Sequence, residues 1–127
     1  MSLSKTVRTL VAAATSNAAG STTRGTQDCT TTYGGILTIK MVNGATGPTL
    51  PCLCNVLVAH NASTPTAASA GTDWKTITSF STGIVASATV EQVVEIPLGV
   101  MQLEVEFTGN TGQPVTVEAY YSEVTTV

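Results

Sequence analysis

The stretch that decides the fold is PLGVMQLEVEFTGNTGQPVTVEAYYSEV, residues 97–124. Met101, Leu103, Val105 and Phe107 fall in one phase, and Gln102, Glu104 and Glu106 in the other. After a Gly/Asn/Thr/Pro segment, Val115, Val117, Ala119 and Tyr121 repeat the pattern, alternating with Thr116, Glu118 and Tyr120. Successive side chains of a strand point to opposite faces, so a period of two marks strands with one buried and one wet face. Two such arms around turn residues predict a β-hairpin.

Working outward, the rest of the chain reads the same way. Residues 36–42 alternate Leu37, Ile39 and Met41 with Thr38 and Lys40, and Asn43-Gly44 ends the run. Residues 50–60 are apolar on both phases. Cys52, Cys54, Val56 and Val58 share one face, and Leu53 and Leu57 lie on the other. A second apolar face needs cover, from a partner subunit or from the chain itself. Residues 61–71 form a small-residue loop. Residues 74–80 put Trp74, Thr76, Thr78 and Phe80 in one phase, and residues 84–96 are read as one long strand ended by Pro97. Trp74, the single tryptophan, is expected to be a core plug whose indole N–H finds an acceptor. Residues 21–35 are polar and Gly-containing, a loop with room for one short strand. Residues 1–20 fit helical and strand phases alike, and the β-branched content favours an N-terminal arm or edge strand. The expectation is all-β: one antiparallel β-sandwich, jelly-roll-like, of about seven to eight strands, with residues 1–20 as arm or edge strand and 21–127 as the sandwich domain.

Composition narrows the function. The chain is 43% apolar and only 10% charged, which separates it from disordered sequences. A net charge of −3 argues against nucleic acid as a partner. No apolar run approaches a membrane span or a secretion signal, so neither a membrane nor export is expected. All five basic residues (Lys5, Arg8, Arg24, Lys40, Lys75) lie in the first 75 positions. The remaining 52 carry six Glu (Glu91, Glu95, Glu104, Glu106, Glu118, Glu123) and no base. Such asymmetry is either scatter over one surface or a basic arm that meets an acidic face on a neighbour.

Chemistry is sparse. Cys29, Cys52 and Cys54 are an odd set, and Cys52 and Cys54 with the single His60 lack the spacing of a zinc site. Buried thiols are the plainer reading. Cys54, His60 and Asp73 could supply a nucleophile and base, but no nucleophile elbow or oxyanion loop accompanies them. No catalytic residue, cofactor or metal is expected. Glu104, Glu106 and Glu118 are expected on the wet face of the hairpin, either as a solvated acidic face that discourages edge pairing or as a partner surface. With Lys5 and Arg8 of the arm and Leu53 and Leu57 of the two-faced strand, they are the candidate partner contacts.

The ending IPLGVMQLEVEFTGNTGQPVTVEAYYSEV, with the mid-chain TDWKTITSF of residues 72–80, resembles the C-terminal part of tailed-bacteriophage capsid decoration (cement) proteins of the jelly-roll type. The resemblance covers residues 73–124. It implies a structural virion protein, made in the host cytoplasm and placed on the outer capsid surface. It further implies bridging of major capsid protein subunits and assembly as a dimer or trimer. A carbohydrate- or receptor-binding sandwich from a fibre or adhesin is the alternative, with Trp74, Tyr33, Tyr120 and Tyr121 as its aromatic candidates.

Overall fold

A computed structural model describes residues 2–66 and 73–127. The end of the loop read over residues 61–71 and the start of TDWKTITSF lie outside the described residues. Eight strands follow in chain order: β1 (Ser4–Asn17), β2 (Thr23–Asp28), β3 (Gly35–Asn43), β4 (Leu53–Ala59), β5 (Lys75–Ser81), β6 (Thr89–Ile96), β7 (Gln102–Thr108) and β8 (Val115–Thr126). They form two four-stranded antiparallel sheets, β1-β8-β3-β6 (sheet A) and β2-β7-β4-β5 (sheet B). The fold is thus the expected jelly-roll-like β-sandwich.

The core lies between the sheets. Leu37, Ile39 and Met41 of β3 and Val115, Val117, Ala119 and Tyr121 of β8 meet Cys54 and Val56 of β4 and Leu103, Val105 and Phe107 of β7. The inward phases read from the sequence for β7 and β8 are therefore correct.

The hairpin is not. β7 lies in sheet B between β2 and β4, and β8 lies in sheet A between β1 and β3. Residues 109–114 carry the chain across the sandwich from one sheet to the other. Gly109 and Gly112 have φ of 95° and 82°, a backbone region open mainly to glycine. Asn110 is fully buried between them. It donates to the Asn17 and Gln113 carbonyls, both at 3.0 Å, and accepts from Asn17 Nδ2 at 2.6 Å. Asn17 in turn donates to the Ser21 carbonyl and accepts from the Thr23 hydroxyl. Every polar atom of the two amides is satisfied, which tethers the β7–β8 crossing to the β1–β2 corner.

Two further differences have local causes. The strand expected over residues 84–96 shortens to β6, and Ile84 and Val85 are exposed in a turn. Asn43 Nδ2 reaches the Val85 carbonyl at 2.9 Å, Ser87 takes a left-handed φ of 59°, and its N–H donates to the Gly44 carbonyl. These contacts fold residues 82–88 over the end of β3 and remove them from the ladder. In β5 the pairing with β4 shifts between Val56 and Leu57. A one-residue shift reverses the faces of a strand. Phe80 therefore packs on the central core, while Trp74 joins Leu57 and Ala59 in a second cluster on the outer side of sheet B.

Candidate functional site

Strand pairing explains the charge asymmetry of the sequence. β1 and β2 come from the basic half of the chain and pair with β8 and β7 of the acidic half. Arg24 stands directly opposite Glu106 and donates Nε–H and Nη2–H to its Oε2 at 3.2 and 3.0 Å. Asn55 Nδ2 donates to the other oxygen of Glu106 at 3.0 Å, and Ser79 Oγ donates to Asn55 Oδ1 at 2.7 Å. One polar row, Arg24–Glu106–Asn55–Ser79, thus crosses all of sheet B. Arg8 donates through Nε to the buried Glu123 at 2.6 Å. Of the acids read as partner contacts, Glu106 is therefore bonded within the chain, and Arg8 is held by Glu123.

Glu104 departs furthest from its expected wet face, with 0% of its surface exposed. It stands between Thr26 and Leu57 in the register, and Arg24 Nε lies 3.9 Å from its Oε1. The cover comes from the β4–β5 connection. Thr64 Oγ1 donates to Gln102 Oε1, Gln102 Nε2 donates to the Asn61 carbonyl, and the Trp74 indole N–H donates to the Thr66 carbonyl at 3.2 Å. Trp74 is 3% exposed and packs on Leu57. The second apolar face of β4 is thus covered at Leu57 by the chain's own tryptophan, while Leu53, at the other end, is exposed.

The outer face of sheet A carries no such cover among the described residues. Its side chains form cross-strand rows. The first runs Glu95–Ile36–Ser122–Val7 and the second Val93–Thr38–Tyr120–Thr9. The third sets Lys40 between Glu91 and Glu118, and the fourth runs Thr89–Val42–Thr116–Ser16. An open groove of about 460 Å³ follows the third row, bordered by Thr38, Lys40, Glu91, Val93 and Glu118. Tyr120 lies against β1, its hydroxyl accepting the Ala13 N–H at 3.0 Å. This face is broad, nearly free of internal side-chain pairing, and mixed in chemistry: apolar Ile36, Val7 and Val93, several hydroxyls, and a negative–positive–negative belt. Of the residues singled out from sequence, it holds Glu118, Tyr120 and, at its edge, Lys5. Lys40, Glu91, Thr38 and Val93 were missed, although the alternation of residues 36–42 already set Thr38 and Lys40 outward.

The thiols are not placed for catalysis. Burial pushes Cys29 and Cys52 up to about 11 and Cys54 up to about 12, Cys54 with a further contribution from Cys52. Thiols so raised stay protonated and unreactive. Burial also raises the Tyr121 hydroxyl. His60 and Asp73 border a shallow cleft with Lys75 and Val100, whereas Cys54 lies in the central core, so the imagined trio is not assembled. No group of three or more metal-ligating side chains occurs among the described residues.

No family model matches the sequence, and no curated protein is similar to it. Solved structures share the architecture. The K3 cleaved adhesin domain of Lys-gingipain from Porphyromonas gingivalis superposes with a TM-score of 0.51 at 12% identity, over 81% of this chain and 63% of that one. This chain therefore spans less than two thirds of the adhesin domain. The SPBc2 prophage-derived protein YomS gives a TM-score of 0.46 at 19% identity, over 96% of both chains. A xylan-binding domain of family 22 gives 0.49 at 12% identity, over 82% of this chain and 66% of that one. The adhesin-domain likeness is one of fold, a β-sandwich, and fold alone does not decide function.

Proposed function

We propose that this protein is a structural virion protein that decorates a bacteriophage capsid, its sandwich seated on the major capsid protein and bridging neighbouring subunits. The observation that carries the reading is the uncovered outer face of sheet A. A broad four-stranded surface with apolar, hydroxyl and alternating charged rows suits a protein surface better than a small ligand, which is usually held in a concave pocket. Trp74 supports the same choice, since the tryptophan that could have stacked on a sugar is sealed under the β4–β5 connection. The resemblance of residues 73–124 to decoration proteins points the same way. Many copies repeated over a shell hold by multivalency, so each contact can be modest.

The test is cosedimentation with capsids lacking the protein. Thr38→Arg with Val93→Arg, both on the open face, should abolish particle binding while the circular dichroism spectrum is kept. Unchanged occupancy would remove this face from the interface.

The groove beside Lys40, with its hydroxyls and carboxylates, supports a second reading, a carbohydrate- or receptor-binding module. It requires Tyr33 or Tyr120 as the stacking surface, because Tyr121 and Trp74 are both buried, each in its own cluster. Glycan-array binding lost in Tyr120→Ala and Lys40→Ala, without any particle association, would establish it over the first.

A further inference from the structure

Among the described residues, sheet A ends in two unpaired edges of opposite charge. β1 carries Lys5 and Arg8 and no acid, and β6 carries Glu91 and Glu95 and no base. Lys5, Glu91 and Glu95 are exposed, and none makes an ion pair among the described residues. Each edge also presents one of the most exposed valines of the chain, Val7 at 65% and Val93 at 67%. Native proteins usually blunt such edges, because unpaired N–H and C=O groups accept another strand.

We infer that copies of this chain associate head to tail, β1 of one copy pairing with β6 of the next, so that sheet A runs on from molecule to molecule. Strand directions allow it. Sheet A alternates β1, β8, β3, β6, every neighbour antiparallel, so β1 and β6 run in opposite senses. A copy added in the same orientation therefore brings its β6 antiparallel to β1. Because two strands, β8 and β3, separate the edge strands, an even number, the outward rows of both edges have their backbone groups in matching phase.

The side chains select one register. Lys5 opposite the partner copy's Glu95 sets Val7 against Val93 and Thr9 against Glu91, all on the outer face. One charge pair forms and the two exposed valines cover each other. A shift of two residues in one direction places Lys5 opposite Pro97 and Val7 opposite Glu95. A shift in the other direction places Lys5 opposite Val93 and Val7 opposite Glu91. A shift of four pairs Lys5 with Glu91 but sets Val7 against Thr89 and leaves Glu95 beyond the end of β1. The available run on β1 ends near Thr9. Beyond it β2 closes in, where a Cβ on Gly25 would collide with the Leu10 backbone. The paired segment is thus Lys5–Thr9, short enough to need the valine and charge contacts for its specificity.

A head-to-tail contact is heterologous, and it closes into a ring or extends according to the rotation between copies. The inference does not depend on the capsid reading, because the isolated protein tests it. Sedimentation velocity over a range of concentrations should show reversible association. Lys5→Glu alone and Glu95→Lys alone should each weaken it about tenfold, about 1.4 kcal/mol, as like charges meet. An equimolar mixture of the two variants should restore association, since every contact between unlike variants brings opposite charges together. Restoration in the mixture cannot arise from misfolding of either variant. The cysteine pair Val7→Cys and Val93→Cys in one chain should give an oxidised ladder of oligomers, whereas each alone gives no species beyond a dimer. A monomer at every concentration, weakening by Glu95→Lys with no effect of Lys5→Glu, or a mixture that stays dissociated would overturn the proposal. Loss of association with capsid binding intact would overturn head-to-tail bridging on the particle and leave the decoration reading standing.

Discussion

β7 and β8 have the same sequence grammar and opposite fates. Each alternates a core phase with an acidic outward phase, yet Glu104 of β7 is fully buried and Glu118 of β8 stays half-open beside Lys40. The strands do not cause the difference. The β4–β5 connection does, by laying Thr64, Thr66 and Trp74 over sheet B, while sheet A has no counterpart among the described residues. An outward phase is thus a statement about direction, and its wetness is decided by segments remote in sequence. The covered face stabilises the fold, and the open face is the one on which the proposed partner would sit.

One substitution made twice breaks the comparison if it is wrong. Glu104→Lys places a second base under the cover beside Arg24, where an uncompensated buried charge costs on the order of 3–5 kcal/mol. Glu118→Lys, in the equivalent phase on the open face, should cost less than about 1 kcal/mol. Urea midpoints for the two variants give the contrast directly, and equal losses would mean that the two faces are not differently covered.

The cover itself is the next target. Trp74→Ala removes the largest side chain of the outer cluster and should cost about 3 kcal/mol, the usual scale for a buried aromatic. Before any substitution, Trp74 fluorescence should be blue-shifted and poorly quenched by acrylamide. Ready quenching in the wild-type protein would mean that the β4–β5 connection does not seal sheet B.

How far these features could be read from the sequence follows from the range of each signal. The inward sets of β3, β4, β7 and β8 were legible because alternation is local. The pairing of β7 with β8 was misread because alternation does not say which strand lies alongside. Asn110, inside the very TGNTG turn that suggested a hairpin, directs its hydrogen bonds to Asn17, 93 residues away. Trp74 and Phe80 were given one phase, and the shift at Val56/Leu57 separated them. The charge asymmetry was visible but its meaning was not. Basic N-terminal strands pair with acidic C-terminal strands, so Arg24 finds Glu106 and Arg8 finds Glu123 within one molecule.

The layer shared by both sheets should make the stability depend on pH. Cys29 and Cys52 are raised from 9.0 to about 11 and Cys54 from 9.0 to about 12, chiefly by burial. A raised folded value favours the neutral thiol. The contribution is therefore fully present below pH 9 and is lost as pH rises toward 11–12, because the unfolded chain ionises first. By pH 10 each thiol should have removed about 1 kcal/mol from the stability. The urea midpoint should fall over that window, and Cys54→Ala, although less stable at pH 7, should fall less steeply.

The smallest expected effect bears most directly on the open face. Lys40 stands between Glu91 and Glu118 in one row of sheet A, and no ion pair within 4.0 Å ties it to either among the described residues. Lys40→Met leaves the two carboxylates flanking an uncharged residue and should cost about 0.5 kcal/mol at low salt. The Debye length falls from about 30 Å at 0.01 M to about 3 Å at 1 M, so the cost should vanish in high salt if solvent reaches the row. The row Arg24–Glu106–Asn55–Ser79 on sheet B is instead held by direct hydrogen bonds, and Arg24→Met should keep much of its cost at 1 M salt. A salt-insensitive Lys40→Met would mean that the belt on sheet A is covered too, and the distinction between a sealed sheet and an open one would fail at the row on which the proposed partner surface rests.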